Sequence, residues 1–132
     1  VQNPVQIDNL ARMHNSLCLY FLAGSKSISG SETPLLAILL GYFAMEQKAY
    51  EILALKGLKV TSHVCAIKGL SRVAMRKDLA STLSDAYENR LEVNYLGNIK
   101  TIDLDRARAS KFLEETALPF IAEIDMMVKK IK

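Results

Sequence analysis

The sequence predicts an all-α protein: one domain over 1–132, folded as an antiparallel up-and-down helical bundle of about five helices. Apolar residues recur at i, i+3 and i+4 through most of the chain, which is the period of an amphipathic helix. No segment alternates apolar and polar residues for long enough to indicate a strand. Glycine and proline interrupt the helical patterns at short links, and 132 residues suffice for one hydrophobic core.

The first helix is predicted to follow an irregular arm formed by residues 1–6. Asp8 is the expected N-cap, because a short polar side chain there precedes five turns of apolar periodicity. Gly24 is expected to end this helix. A polar, mobile loop is predicted over 25–32.

The second helix is predicted to be the central helix of the bundle. Thr33 as N-cap and Pro34 at the first helical position mark its start, and Gly57 marks its end. The pattern is apolar nearly all round as far as Met45, which is typical of a buried helix. Residues 46–51 are expected to turn one face to solvent.

The third helix is predicted to begin after an N-cap at Ser62 and to run from His63 to about Arg76. Lys68, Arg72 and Arg76 recur every four residues, so they form a candidate basic strip on one side of it. Two interpretations remain open: a solvated helix face, or a strip that contacts phosphates or docks a partner. The net charge of +3 is too small to decide between them.

The fourth helix, expected from Asp78 to near Gly97, carries the anomaly of the sequence. At about 100° per residue, Arg90 and Asn94 fall near the middle of its apolar face. An arginine is almost never fully buried without a partner, so this face is predicted to serve more than core packing. Its apolar members are Leu79, Leu83, Ala86, Tyr87 and Val93.

The fifth helix is predicted to run from an N-cap at Asp103 to the C-terminus. Pro119 lies inside it and is expected to bend it by removing one backbone hydrogen bond.

The histidines and cysteines predict no metal site and no cofactor. His14 lies on the apolar stripe of the first helix and is expected to be a hydrogen-bonded core residue or, alternatively, to face an interface; His63 is expected to be structural or solvent-facing. Cys18 and Cys65 occupy apolar helical positions, which predicts buried, reduced thiols and a cytoplasmic protein. No apolar run is long enough for a membrane span, so no membrane partner is expected.

Phosphate-binding, zinc and di-iron motifs are absent from the sequence. It contains no G-x-x-x-x-G-K-S/T, no G-x-G-x-x-G, no C-x-x-C and no Glu three residues before a histidine. No serine or cysteine has a local base in the sequence, although a triad assembled in space remains open.

Three segments follow one another in this order: A-I-L-L-G-Y-F-A-M-E-Q-K-A-Y-E-I-L-A-L-K-G-L, V-T-S-H-V-C-A-I-K-G-L and Y-E-N-R-L-E-V-N-Y. Their order resembles the HEPN superfamily (higher eukaryotes and prokaryotes nucleotide-binding domain). The similarity covers Leu35–Lys132 and is closest to the stand-alone prokaryotic branch associated with minimal nucleotidyltransferases. Gly57 followed by His63, and Arg90-x4-Tyr95, carry most of its specificity.

The resemblance implies a helical bundle that forms a homodimer and binds a nucleotide, RNA or a nucleotidyltransferase partner, often within a toxin–antitoxin system. Many HEPN proteins are metal-independent ribonucleases that use Arg-x4-6-His at the dimer interface. From Arg90, that motif would need histidine where Tyr95 or the next two residues stand. In toxins of the R-N-x-x-x-H type, Asn89 would match the asparagine, but Glu88 and Val93 replace the arginine and the histidine.

Three functions therefore remain open. The first is a dimeric HEPN-like binding module without the catalytic histidine, whose ligand or interface residues are Arg90, Asn94, Tyr95, Asn89 and Tyr87. The second is a metal-independent ribonuclease toxin, in which His14 or His63 would have to supply the base. The third is a structural protein-interaction domain without a nucleotide site.

Overall fold

A computed structural model of the chain describes residues 3–31, 33–96 and 102–131, with the side chains of 91–96 and 102–103 outside the description. These residues form helices and no strand, which confirms the prediction of an all-α bundle. The described residues contain six α-helices, α1 (Pro4–Ile28), α2 (Leu35–Leu55), α3 (His63–Arg72), α4 (Lys77–Leu96), α5 (Ile102–Phe112) and α6 (Leu118–Ile131), with a π-helical turn (Leu113–Ala117) joining the last two.

Helix α2 lies at the centre of the bundle, as predicted, and contacts every other helix. Helix α1 runs antiparallel to it: Ser25 Oγ donates to the Ala37 carbonyl at 2.6 Å near one end, and Lys48 Nζ donates to Asn15 Oδ1 at 2.8 Å near the other. The two helices therefore form a long hairpin, and the remaining helices pack against α2.

The predictions for α1 were wrong at both ends. Helix α1 begins at Pro4 because Asn3 and Gln6 form a capping box: the Gln6 amide donates to Asn3 Oδ1, and the Asn3 amide donates to Gln6 Oε1. Gly24 does not end the helix, which continues to Ile28 through part of the predicted loop. A Cβ at position 24 would lie 3.3 Å from a Leu40 methyl carbon, so this glycine allows α2 to approach closely.

The start of α2 also differs from the prediction. Pro34 occupies the N-cap position with no side-chain cap, and the Thr33 amide and hydroxyl are instead close to Ser31 Oγ. The end of α2 agrees with the prediction, because Gly57 adopts a left-handed conformation (φ 91°) that closes the helix with a hydrogen bond from the Leu58 amide to the Leu53 carbonyl.

The later half of α2 buries charges that the sequence pattern assigned to solvent. The Lys48 side chain is 1% exposed and donates to Asn15, Glu51 and Asp125 at 2.5–2.8 Å. Because an ammonium has three donors, this network satisfies all of them. Burial of Glu51 beside Lys48 makes the segment part of the core instead of a solvated face.

Helix α3 packs tightly on α2. A Cβ at Gly69 would lie 2.7 Å from a Leu53 methyl carbon, so only glycine fits there without a shift. Ser62 caps α3 through the Cys65 amide at 3.2 Å, as predicted, but the helix ends at Arg72 instead of about Arg76. Cys65 is exposed, which contradicts the prediction of two buried thiols.

Cys18 agrees with that prediction. Its side chain is fully buried, and burial raises the pKa of its thiol to about 11.

The final stretch is helical throughout from Ile102 to Ile131, and a π-helical turn within it separates α5 from α6. In this turn the Leu118 amide donates to the Leu113 carbonyl, five residues earlier. Pro119 follows directly, so the irregularity expected at the proline takes the form of a π turn. The N-cap predicted at Asp103 lies inside α5, and its side chain is outside the described part.

In the part of the chain that the structure describes, no helix combines the length and apolar character needed to span a membrane.

Candidate functional site

The inward face of α4 continues from three buried apolar residues to Arg90. Leu79, Leu83 and Ala86 are 5%, 0% and 0% exposed, whereas Ser81 on the opposite side is exposed. Arg90 lies one turn beyond Ala86, and its Nε atom is buried. The prediction that an arginine lies on the apolar face of this helix is therefore confirmed.

The Arg90 guanidinium is held by aromatic rings. Its Cζ atom lies 4.7 Å from the centroid of the Tyr87 ring and 5.6 Å from that of Tyr42, distances at which a cation is attracted to the ring face. The buried Nε–H has no hydrogen-bond partner among the described residues, and none of the ion pairs between them includes Arg90. A buried donor that lacks a hydrogen-bond partner lowers the stability of the fold by about 1–3 kcal/mol.

Tyr42, one of the two rings that contact Arg90, is hydrogen-bonded to an acidic residue. The Tyr42 hydroxyl donates to Glu46 Oε2 at 2.6 Å, and Tyr42 itself is 1% exposed. Burial raises the pKa of Tyr42 above its ordinary value, the hydrogen bond and charge of Glu46 raise it further, and Arg90 opposes this shift. Tyr42 thus contacts the Arg90 cation through its ring and the Glu46 carboxylate through its hydroxyl.

His63 lies against the same aromatic ring as Arg90. Its imidazole stacks on Tyr87 with a centroid separation of 3.9 Å and an interplanar angle of 16°. The sequence indicated a structural or solvent-facing residue at this position or, in the ribonuclease interpretation, a candidate base; it did not predict the contact with Tyr87. We call Arg90, Tyr42, Tyr87, His63 and Glu46 the arginine cluster; it joins α2, α3 and α4.

His14 lies elsewhere in the core. It is 7% exposed, its Nδ1 is 2.6 Å from Gln47 Oε1, and its ring meets Tyr50 edge to face. The first of the two interpretations of His14, a hydrogen-bonded core histidine, is confirmed. Of the two histidines, His63 is therefore the one beside Arg90.

The other predicted residues of α4 do not all join the cluster. Asn89 lines a separate recess of about 260 Å³ between α2, α4, α5 and the π turn. The backbones of Asn94 and Tyr95 are helical, but their side chains lie outside the described part of the chain. The structure therefore brings Arg90 and Tyr87 together, and it adds Tyr42, Glu46 and His63.

The candidate basic strip is divided by the end of α3. Lys68 and Arg72 are exposed on the helix. Arg76 lies beyond it and pairs through two nitrogens with Asp78, at 2.9 and 2.8 Å, and with Glu123 at 3.0 Å. These hydrogen bonds raise the pKa of Arg76, and they lower that of Asp78 to about 2.

The strip belongs to a long acid-free segment. Residues 52–77 contain six lysines and arginines and no aspartate or glutamate, whereas the rest of the chain carries more acids than bases. Its other lysines, Lys56, Lys59 and Lys77, are exposed. Positive charge is therefore concentrated around α3 and its two links, and His63 lies at the start of this helix.

Comparisons with protein-family models, with curated proteins and with solved structures found no match for this chain.

Proposed function

We propose that this protein is a HEPN-like binding module that recognises a phosphate-bearing ligand, RNA or a nucleotide, through Arg90. The observation that carries the proposal is the buried Arg90 Nε–H without a hydrogen-bond partner among the described residues. A guanidinium matches the geometry of phosphate oxygens and retains its charge at any physiological pH. Because the Tyr42 and Tyr87 rings contact the guanidinium through their π faces, its N–H groups remain available to donate to a phosphate.

Two further features support a nucleic-acid ligand. Tyr87 and His63 are partly exposed and already stacked, and planar side chains of this kind are what proteins use to stack bases. The exposed cations of the acid-free segment, Lys68 and Arg72 among them, would attract a polyanion toward α3. Recognition would then combine charge attraction along α3 with phosphate binding at Arg90.

The proposal includes the setting that the resemblance implies. The module would form a homodimer through α4, work beside a nucleotidyltransferase partner or within a toxin–antitoxin system, and reside in the cytoplasm. Sedimentation velocity over a range of protein concentrations tests the dimer. A monomer throughout would contradict this part of the proposal and leave ligand binding by Arg90 to its own test.

Binding is tested by fluorescence anisotropy with a labelled single-stranded oligouridylate and with labelled ATP. We expect Arg90→Met to weaken binding at least about tenfold and to reduce the salt dependence by about one phosphate contact. Arg12→Met is the matched control, because Arg12 is an exposed arginine on α1 that pairs with Asp8. Equal affinities of the two variants would refute the role of Arg90, and absence of binding by the unmodified protein would favour the structural interaction domain.

A second candidate function is a metal-independent ribonuclease, favoured by the stacking of His63 on the ring that contacts Arg90. His63 would remove the proton from a ribose 2′-hydroxyl, whose oxygen attacks the adjacent phosphorus and expels the 5′-oxygen, which takes up a proton from water. Arg90 would stabilise the negative charge that develops on the phosphate.

This candidate predicts cleavage in EDTA that leaves 2′,3′-cyclic phosphate ends. His63→Gln and Arg90→Met should each abolish the activity. RNA that stays intact with pure protein would exclude the ribonuclease and leave the binding module as the proposed function.

A further inference from the structure

The recess beside the π turn has a floor and a rim of different character. Ile38 of α2 and Phe112 of α5, which are 1% and 7% exposed, form the apolar floor. Polar side chains from α4, α5 and the π turn form the rim, which consists of Asn89, Arg108, Lys111, Glu115 and Thr116. We call this site the π recess.

Two opposite charges on the rim are kept apart. Lys111 and Glu115 are both exposed, both line the recess, and neither has an ion-pair partner among the described residues. Four residues apart in a regular α-helix, they would be neighbours on one face. The π turn begins at Leu113, between them, and its wider i to i+5 spacing changes the angle between the two positions.

We propose that the π recess binds a small zwitterion of the α-amino-acid type with an apolar side chain. Lys111 and the Asn89 amide would hold the carboxylate, and Glu115 with the Thr116 hydroxyl would hold the ammonium. The side chain of the ligand would rest on the apolar floor. This site shares no residue with the arginine cluster, so the inference goes beyond the proposed function.

The size and charge of the π recess favour this ligand class over a nucleotide. A volume of about 260 Å³ lies just below the roughly 300–1,000 Å³ of pockets that hold drug-sized ligands. The rim carries two cations, Arg108 and Lys111, and one anion, Glu115, so it can pair with both ends of a zwitterion, whereas a phosphate would leave Glu115 without a partner. A molecule that carries both charges satisfies Lys111 and Glu115 together.

The test is a titration followed by ¹H–¹⁵N NMR on the intact chain, with L-phenylalanine as the probe. We expect saturable shifts at the Asn89 side-chain amide and the Thr116 backbone amide. Two analogues serve as controls on the ligand side: 3-phenylpropionate, which lacks the ammonium, and phenethylamine, which lacks the carboxylate. Each should bind roughly fivefold more weakly, because one rim charge then lacks its partner.

Matched variants test the protein side. Glu115→Gln should weaken phenylalanine binding roughly fivefold, as should Lys111→Met. Glu114→Gln removes the same charge from an exposed neighbour that does not line the recess, so it should leave the affinity unchanged. The proposal is overturned if phenylalanine produces no saturable shift, if Glu115→Gln and Glu114→Gln behave alike, or if AMP shifts the same resonances at lower concentration.

Discussion

Replacing Arg90 with methionine distinguishes between two roles of this residue, ligand binding and stabilisation of the fold. The substitution removes two cation–π contacts, each worth about 0.5–2 kcal/mol, at 4.7 and 5.6 Å from the Tyr87 and Tyr42 centroids. It also removes the buried Nε–H whose unmade hydrogen bond costs about 1–3 kcal/mol. These contributions oppose each other, and an apolar side chain of similar length fills the site.

We therefore expect the free energy of unfolding of Arg90→Met to stay within about 1 kcal/mol of the unmodified protein. Urea denaturation followed by circular dichroism measures it. A loss of about 3 kcal/mol or more would contradict this expectation, because that magnitude is typical of breaking a buried ion pair. Arg90 would then hold the fold together and would not be reserved for a ligand.

Three further predictions concern stability. Lys48→Met should lower the free energy of unfolding, measured by urea denaturation, by about 3–5 kcal/mol, since it leaves the buried Glu51 carboxylate unpaired. A decrease below about 1 kcal/mol would contradict the importance of this ion pair. Met75 has φ 57°, so Met75→Gly should raise the melting temperature, whereas Met126→Gly, inside α6, should lower it; changes of one sign would refute this. In the folded protein, burial and, to a smaller extent, Glu46 raise the pKa of Tyr42 and of Tyr50. Just above about pH 10, these two phenols therefore ionise only in the unfolded chain. Stability should therefore fall with rising pH by roughly 1.4 kcal/mol per unit for each phenol, and the double Phe variant should lose less over the same pH range.

The features that the sequence predicted well depend on local pattern. The period of α4 placed Arg90 on the inward face, and the glycine at position 57 closed α2 where expected. A local signal was also missed: Asn3 and Gln6 form a capping box, a motif with a known spacing, before the first predicted helix. The spacing of Asn3 and Gln6 is that of a helix that begins at Pro4.

The features that the sequence did not predict depend on contacts between helices. Tyr42 and His63 reach Arg90 and Tyr87 from α2 and α3, and no periodicity within one helix encodes which neighbours meet. The burial of Lys48 has the same origin, because its partners come from α1 and α6 as well as from α2. Charged residues in a sequence are usually solvated, so tertiary pairing was needed to reveal this one.

The most direct test of the account observes the Arg90 Nε–H itself. Its ¹H–¹⁵N resonance, assigned by comparison with Arg90→Met, should exchange slowly with solvent in the free protein because the atom is buried. Titration with a short oligouridylate should shift this resonance in a saturable way at the concentrations that saturate fluorescence anisotropy. A resonance that stays fixed while RNA saturates the protein would show that Arg90 does not recognise the phosphate.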